Sequence, residues 1–194
     1  MKKLSTYLFL ILFSFQTQSW ADDITDFQIE GMSVGDSLLK YYSKKEIKNA
    51  TTYKYKSNKF IGIDLRVKNV ELYEIVQIHY KPSKEYIISS VIGVIYYFED
   101  INNCYKKKDE IVANLSESFE DFKKFDRGTF QAYEDETGKS TMTAVEFHLK
   151  NGEVGVTCTN YSNEFKIKND YSDNIRVDIS TKEFSDWLRN EAYK

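Results

Sequence analysis

Two cysteines, Cys104 and Cys158, offer the first chemistry to consider, because a thiolate can act as a nucleophile, a redox group or a metal ligand. They do not form a Cys-x-x-Cys pair, so the sequence carries no redox motif of that kind. In an oxidising compartment an even number of cysteines suggests a disulfide, whereas in the cytosol the two would be buried thiols. The compartment in which the chain resides therefore decides how these residues are interpreted.

A serine lies in Gly35-Asp36-Ser37-Leu38, which resembles the signature of the GDSL esterases. The resemblance implies a serine nucleophile at a turn from strand to helix. That family has an apolar strand before the glycine and an Asp-x-x-His sequence near the C-terminus, yet no histidine follows His148 here. A hydroxyl without a base is weakly nucleophilic at neutral pH. We therefore interpret Ser37 as a helix-start residue and keep a small envelope serine hydrolase using Ser37 as the alternative function.

No metal site is predicted. His79 and His148 lie on predicted strands and lack the spacing of a helical histidine pair. Glu146 and His148 share the outward face of one strand, which is typical of solvent-exposed residues. Asp173-Asn174 lacks the Asp-x-Asp-x-Asp-Gly pattern of a calcium loop and is better interpreted as a turn.

The stretch Tyr53-Lys54-Tyr55-Lys56 alternates aromatic and cationic side chains, as a sugar- or nucleic-acid-binding loop can. The chain contains 15 tyrosines and is rich in lysine, so such a stretch also arises by chance. An ordinary exposed loop or strand is the alternative interpretation. The net charge of −3 is too small to indicate a nucleic-acid or membrane-surface partner.

The first 21 residues have the pattern of a cleaved signal peptide. Met1-Lys2-Lys3 is positively charged, residues 4–15 are apolar, and Ser19-Trp20-Ala21 places small residues where a signal peptidase reads them. Twelve apolar residues are fewer than the roughly 20 that a spanning helix needs. The sequence thus predicts a periplasmic or secreted bacterial protein, with residues 22–194 as one globular domain and no stable membrane anchor after cleavage.

Export makes a disulfide the favoured interpretation of the cysteines, and periodicity predicts that they can meet. Cys104 lies on the apolar side of a predicted helix from Ile101 to Phe122, near its start. Cys158 lies in the second strand of a predicted hairpin that turns at Asn151-Gly152.

A type I′ turn at Asn151-Gly152 would place Val145 opposite Cys158 and Phe147 opposite Val156. Cys158 then shares an apolar face with those neighbours. Both cysteines are directed into one core, and the sequence predicts a structural disulfide between Cys104 and Cys158.

Strand patterns recur between Ile61 and Ser180, and they are interrupted by helices that do not alternate with them regularly. Before them, Ser33 or Asp36 is predicted to cap a first short helix, and the capping box Ser43–Glu46 predicts a second. A further capping box, Ser180–Glu183, predicts a final helix that carries Phe184 and Trp187. This order predicts an α+β fold: a mostly antiparallel sheet of about six strands, a short N-terminal helical pair, one long helix packed on the sheet and a C-terminal helix.

The segment Asp26-Phe27-Gln28-Ile29-Glu30-Gly31-Met32-Ser33-Val34-Gly35-Asp36-Ser37-Leu38-Leu39 resembles an uncharacterised family of exported proteins from small-genome marine bacteria. The segments around Cys104 and Cys158 are also similar to that family. The resemblance implies export and carries no activity. With no complete catalytic set and no cofactor motif, the sequence predicts a binding or interaction module and not an enzyme. Its partner is expected to be a protein or envelope ligand of unknown identity.

Overall fold

The computed structural model describes residues 23–53, 55–65, 72–98, 100–118 and 122–194. The strands are β1 (Thr51–Tyr53), β2 (Ile61–Leu65), β3 (Ile75–Tyr80), β4 (Ile88–Tyr97), β5 (Lys123–Gln131), β6 (Thr141–His148), β7 (Gly152–Asn160) and β8 (Asp173–Thr181). The helices are α1 (Lys44–Asn49), α2 (Ile101–Ser118), α3 (Asn163–Asn169) and α4 (Lys182–Asn190), with short 3-10 turns at Ile24–Asp26 and Leu38–Lys40.

All eight strands belong to one antiparallel sheet, in the order β1-β2-β3-β4-β8-β7-β6-β5. The first four strands follow one another across half of the sheet. Helix α2 then carries the chain to the opposite edge, and β5 to β8 return until β8 pairs with β4. The predicted α+β class and antiparallel sheet are confirmed, but the sheet has eight strands and not about six.

Strand β1 was missed and only the last residues of β5 were predicted as strand; both are at the edges of the sheet, where burial no longer imposes a clear alternation. Strand β1 has only three residues, and β5 is exposed at nearly every position. Helix α3 was also missed, because none of its residues is fully buried. An element without an apolar face leaves little periodic signal in the sequence.

The predicted N-terminal pair corresponds to the 3-10 turn at Leu38–Lys40 and to α1, but the first of the two is capped by Ser37 and not by Ser33 or Asp36. The α1 capping box is present: the Ser43 hydroxyl accepts from the Glu46 amide, and the Glu46 carboxylate accepts from the Ser43 amide. The C-terminal helix is also present, but the predicted cap is wrong by one residue: the N-cap is Thr181, whose hydroxyl accepts from the Phe184 amide, and Ser180 belongs to β8. The long helix extends to Ser118, while part of its predicted end lies outside the described residues.

One face of the sheet packs under α2 and forms the main core. Its alternate strand residues are apolar and buried, among them Ile63, Ile78, Val91, Val156 and Ile175. The predicted disulfide is confirmed here: Cys104 of α2 and Cys158 of β7 are bonded, with 6.0 Å between their Cα atoms, and both are fully buried. The bridge therefore fastens the long helix to the sheet that it covers.

The predicted hairpin register is wrong by two residues. Val145 pairs with Val156 and Phe147 pairs with Val154, so the two-residue turn is Lys150-Asn151. Gly152 begins β7 and does not have a positive φ. A Cβ at Gly152 would lie 2.3 Å from the Ser180 carbonyl oxygen, so the glycine is required for close approach of β8.

A shift of two residues keeps every side chain on its original face, since side chains alternate with a period of two. Cys158 therefore still points into the core, and the disulfide prediction holds despite the wrong register.

The opposite face of the sheet carries a second, smaller cluster under α4, formed by Phe60, Phe184, Trp187 and Ala192. This cluster covers only part of that face. No helix among the described residues is long and apolar enough to cross a membrane. The predicted signal peptide lies outside those residues and stays a prediction.

Candidate ligand-binding groove

A groove of about 680 Å³ lies beside α4 on the sheet face opposite to the disulfide. Its floor is formed by β2, β3, β4 and β8. Its walls come from the chain after β1, the loop between β5 and β6, the turn before β8 and the C-terminal segment. The volume is within the 300–1,000 Å³ range of sites that bind small ligands.

Strand alternation explains why polar residues line this floor. Asp64 pairs with Gln77, Val94 with Arg176, and Tyr96 with Asn174. The residues between them in each strand point into the main core. The polar positions of four strands are therefore collected on one side of the sheet.

Aromatic side chains form much of the wall: Tyr53, Tyr55, Tyr96, Phe98, Tyr171 and Tyr193. The rings of Tyr55 and Tyr193 lie 5.6 Å apart, and those of Tyr96 and Phe98 lie 6.1 Å apart, measured between centroids. Phe98 is 74% exposed and Tyr171 is 40% exposed. The groove thus presents ring surfaces at its rim as well as along its side.

Tyr53 anchors one end of the floor through two hydrogen bonds. Its hydroxyl donates to Asp64 Oδ2 over 2.5 Å and accepts from Gln77 Nε2 over 2.7 Å. Burial, together with the hydrogen bond to Asp64, raises the pKa of Tyr53 well above its usual range. The phenol consequently stays protonated and holds the Asp64 carboxylate in place.

Tyr55 and His79 line the groove next to α4. The Tyr55 hydroxyl lies 2.7 Å from His79 Nε2, and the Tyr55 ring packs edge-on against Trp187. His79 is only 5% exposed, and burial lowers its pKa to about 4. The imidazole is therefore neutral at physiological pH.

Several buried polar atoms of lining residues have no hydrogen-bond partner within the described part of the chain. They are Asp64 Oδ1, His79 Nδ1, Asn174 Oδ1 and Arg176 Nε. An unpaired buried polar atom costs roughly 1–3 kcal/mol, and folded proteins contain few of them. Their concentration along one groove is the feature that distinguishes this site.

Charge in the groove is mixed. Arg176 supplies the cation of the floor, and its guanidinium lies 3.8 Å from the Glu134 carboxylate. Asp64 supplies an anion of the floor, while Asp170 lies at the exposed rim. The floor itself is close to electrically balanced.

A second depression, of about 500 Å³, lies at the end of β5 and is lined by Arg127, Phe130, Tyr133 and Asp135 among others. Asp135 is fully paired there, because it accepts hydrogen bonds from Thr137 and Ser140. None of the described residues lining this depression has an unpaired buried side-chain atom. It lacks the feature that marks the groove.

The predicted aromatic stretch contributes directly to the groove. Tyr53 and Tyr55 line it, whereas Lys56 is exposed and Lys54 lies outside the described residues. Asn174, interpreted from the sequence as part of a turn, donates from Nδ2 to the Ser172 carbonyl, and both residues also line the groove.

Ser37 lies elsewhere, in a turn beside the loop before β4. Its hydroxyl donates to the Glu85 carbonyl over 2.6 Å and accepts weakly from the Leu39 amide. Ser37 thus starts the 3-10 turn, as predicted. The outward-facing pair Glu146 and His148 is hydrogen-bonded over 3.0 Å. Across the described ranges, no group of three or more His, Cys, Asp or Glu residues is arranged to hold a metal ion.

Sequence reasoning missed Asp64, Gln77, Tyr96, Tyr171 and Arg176 as site residues. The sequence signal that could have identified them is the presence of polar residues at alternate positions of predicted strands. Arg176 also stands out as one of only four arginines. That signal shows which side of a strand is polar, but not which strands are neighbours.

Comparisons of the chain with protein-family models, with curated proteins and with solved structures give no match, so the interpretation of the groove rests on its own geometry.

Proposed function

We propose that this protein is a binding module whose ligand occupies the groove lined by Tyr53, Tyr96, Tyr171, Asn174 and Arg176. The observation that carries the proposal is the set of unpaired polar atoms among the groove's lining residues, surrounded by aromatic rings. Ligand sites commonly combine apolar and aromatic walls with a few fixed polar groups. The β-sheet floor holds those groups on rigid strands.

The ionisation of the lining residues favours binding over acid–base catalysis. A general acid or base works best when its pKa is near the working pH. In the groove, burial lowers the pKa of His79 to about 4 and raises the pKa values of Tyr53 and Tyr55 far above neutrality. These groups keep one protonation state and serve as fixed donors and acceptors.

We also propose that the module works in the periplasm or outside the cell. The signal-peptide pattern of residues 1–21 supports export, and the Cys104–Cys158 disulfide is compatible with an oxidising compartment. The partner stays a protein or envelope ligand of unknown identity under this proposal.

Ligand-observed NMR with mixtures of small fragments tests the groove as a binding site. The full chain, with its disulfide oxidised, is compared with two variants. Ser172→Trp places an indole in the groove, and Lys106→Trp places the same side chain on the exposed surface of α2. We expect fragments to bind the wild type and Lys106→Trp and to lose binding to Ser172→Trp.

Fragments that bind Ser172→Trp as well as wild type would contradict the groove as the site. Circular dichroism and the unfolding midpoint of both variants show whether each has folded, so that a folding defect is not mistaken for a blocked groove.

A further inference from the structure

The chemistry of the groove restricts the ligand that it can hold. The unpaired atoms are of both kinds: Asp64 Oδ1 and Asn174 Oδ1 accept hydrogen bonds, and Arg176 Nε donates one. A ligand that satisfies them must both donate and accept. A hydroxyl group does both, with one donor and two lone pairs.

Charge and hydrogen bonding together disfavour two other ligand classes. Glu134 and Asp170 are exposed carboxylates at the groove, and they disfavour an anionic ligand. A quaternary ammonium ion suits aromatic rings and is attracted by these carboxylates, but it offers no hydrogen bond to any of the unpaired atoms. The nearly balanced floor, with Asp64 and Arg176 on neighbouring rows, favours a neutral ligand.

The aromatic wall favours a ligand with an apolar face. Tyr96 and Phe98 form one ring pair, and Tyr55 and Tyr193 form another. Aromatic rings give large contact area at low entropic cost, and tyrosine adds a polar hydroxyl. A pyranose ring has C–H groups on one face and hydroxyls around its edge, so it matches rings at the wall and polar groups at the floor.

We infer that the groove binds a neutral saccharide, an inference that rests on the proposed function. Sugar hydroxyls donate to Asp64 and Asn174 and accept from Arg176, while the pyranose faces pack on Tyr96, Phe98 and Tyr171. These three atoms, like His79 Nδ1, are shielded from solvent in the ligand-free chain.

The test is titration of the full, oxidised chain with neutral oligosaccharides of glucose, galactose, mannose, xylose, N-acetylglucosamine and N-acetylgalactosamine. Dextran sulfate and tetramethylammonium serve as anionic and cationic probes. Binding is followed by tyrosine-ring NMR shifts. We expect at least one neutral oligosaccharide to bind and to shift Tyr53, Tyr96 and Tyr171.

Matched variants locate the sugar. Phe98→Ala removes a groove aromatic that is 74% exposed, and Tyr133→Ala removes one of similar exposure, 76%, outside the groove. We expect Phe98→Ala to weaken saccharide binding about tenfold and Tyr133→Ala to leave it unchanged. Arg176→Lys keeps the charge but loses the planar donor, and we expect a loss of at least fivefold.

If tetramethylammonium or dextran sulfate binds in the groove and no neutral saccharide does, the inferred ligand class is wrong, although the groove is still a binding site. Groove-specific fragment binding without a bound saccharide would lead to the same conclusion. If neither fragments nor saccharides reach the groove, the proposed function itself is wrong. Saccharide binding that Tyr133→Ala weakens and Phe98→Ala does not would also overturn the inference.

Discussion

The sheet face under α2 and the face that holds the groove differ in how their side chains are satisfied. Under α2, apolar side chains interlock around the buried disulfide. On the other face, polar side chains of lining residues keep unpaired atoms, and α4 covers only part of the surface. We therefore expect stability to depend mainly on the first face, and we propose that the second face binds the ligand.

The same strands supply both faces, so the division depends on alternation alone. Ile63 points into the core and Asp64 to the groove, just as Ile175 points into the core and Arg176 to the groove. A groove built on strands that a disulfide-linked core supports is preorganised, which lowers the entropic cost of binding.

Removing the disulfide of the core face is expected to change the free energy of unfolding more than any other substitution considered below. We expect Cys104→Ala/Cys158→Ala to lower the free energy of unfolding by about 4 kcal/mol, from the entropy of closing a loop with a sequence separation of 54. Urea unfolding of the oxidised wild type and the double variant measures it. An unchanged midpoint would show that the core face does not carry the stability assigned to it.

Two glycines compare the faces directly. A Cβ at Gly93, on the core face, would lie 2.5 Å from the Tyr73 ring; at Gly155, on the groove face, it would lie 2.4 Å from Asp178 Oδ1. The buried ring of Tyr73 has little room to move, whereas the Asp178 carboxylate can rotate. We expect Gly93→Ala to destabilise by about 2 kcal/mol and Gly155→Ala by less than about 1 kcal/mol. If urea unfolding shows that Gly155→Ala destabilises the protein more than Gly93→Ala does, the stability does not depend mainly on the core face.

How far the sequence predicts each face follows from the same comparison. The core face was largely predictable, because the periodicity of a helix and of a strand each directs one cysteine inward. The groove was not, because it depends on β8 lying beside β4. That neighbour relation brings Tyr96 next to Asn174 across 78 positions of chain. Tyr53 and Tyr55 were noticed for their type, but nothing local connects them with Arg176.

The third prediction concerns how stability depends on pH through Asp178, which lies on the groove face. Burial, with a smaller contribution from Glu153 and Glu146, raises the pKa of Asp178 to about 7, while Arg176 and Arg189 oppose the rise. Between about pH 3.8, the ordinary pKa of an aspartate, and about pH 7, the folded protein thus keeps the Asp178 proton that the unfolded chain has lost. Stability should fall as the pH rises through that window.

Asp178→Asn removes this ionisation. We expect the variant to match wild type at pH 3.5 and to be the more stable of the two at pH 8. Unfolding midpoints at both pH values measure the difference. A variant less stable than wild type at pH 8 would show that the ionised carboxylate is satisfied in the folded protein.

The smallest effect is expected at the ion pairs that attach α4 to the rest of the groove face. Glu183 accepts from Lys81 over 2.6 Å and lies 3.7 Å from Lys59, and both pairs are about half exposed. We expect Glu183→Gln to cost less than about 0.5 kcal/mol, since exposed ion pairs contribute little. The hydrogen bond from Lys81 lowers the pKa of Glu183, so this small contribution should disappear as acid protonates the carboxylate. A loss that persists in acid would point to packing of the Glu183 side chain and not to its charge.

The most direct test of the groove is the NMR spectrum of the tyrosine rings. It is recorded while an oligosaccharide or fragment that binds the protein is titrated into it. With tyrosine labelled by ¹³C, we predict that Tyr53, Tyr55, Tyr96, Tyr171 and Tyr193 shift together, with one affinity. Tyr133, in the second depression, and Tyr105, on α2, should stay in place. Shifts centred on Tyr133, with the groove tyrosines unmoved, would contradict the account.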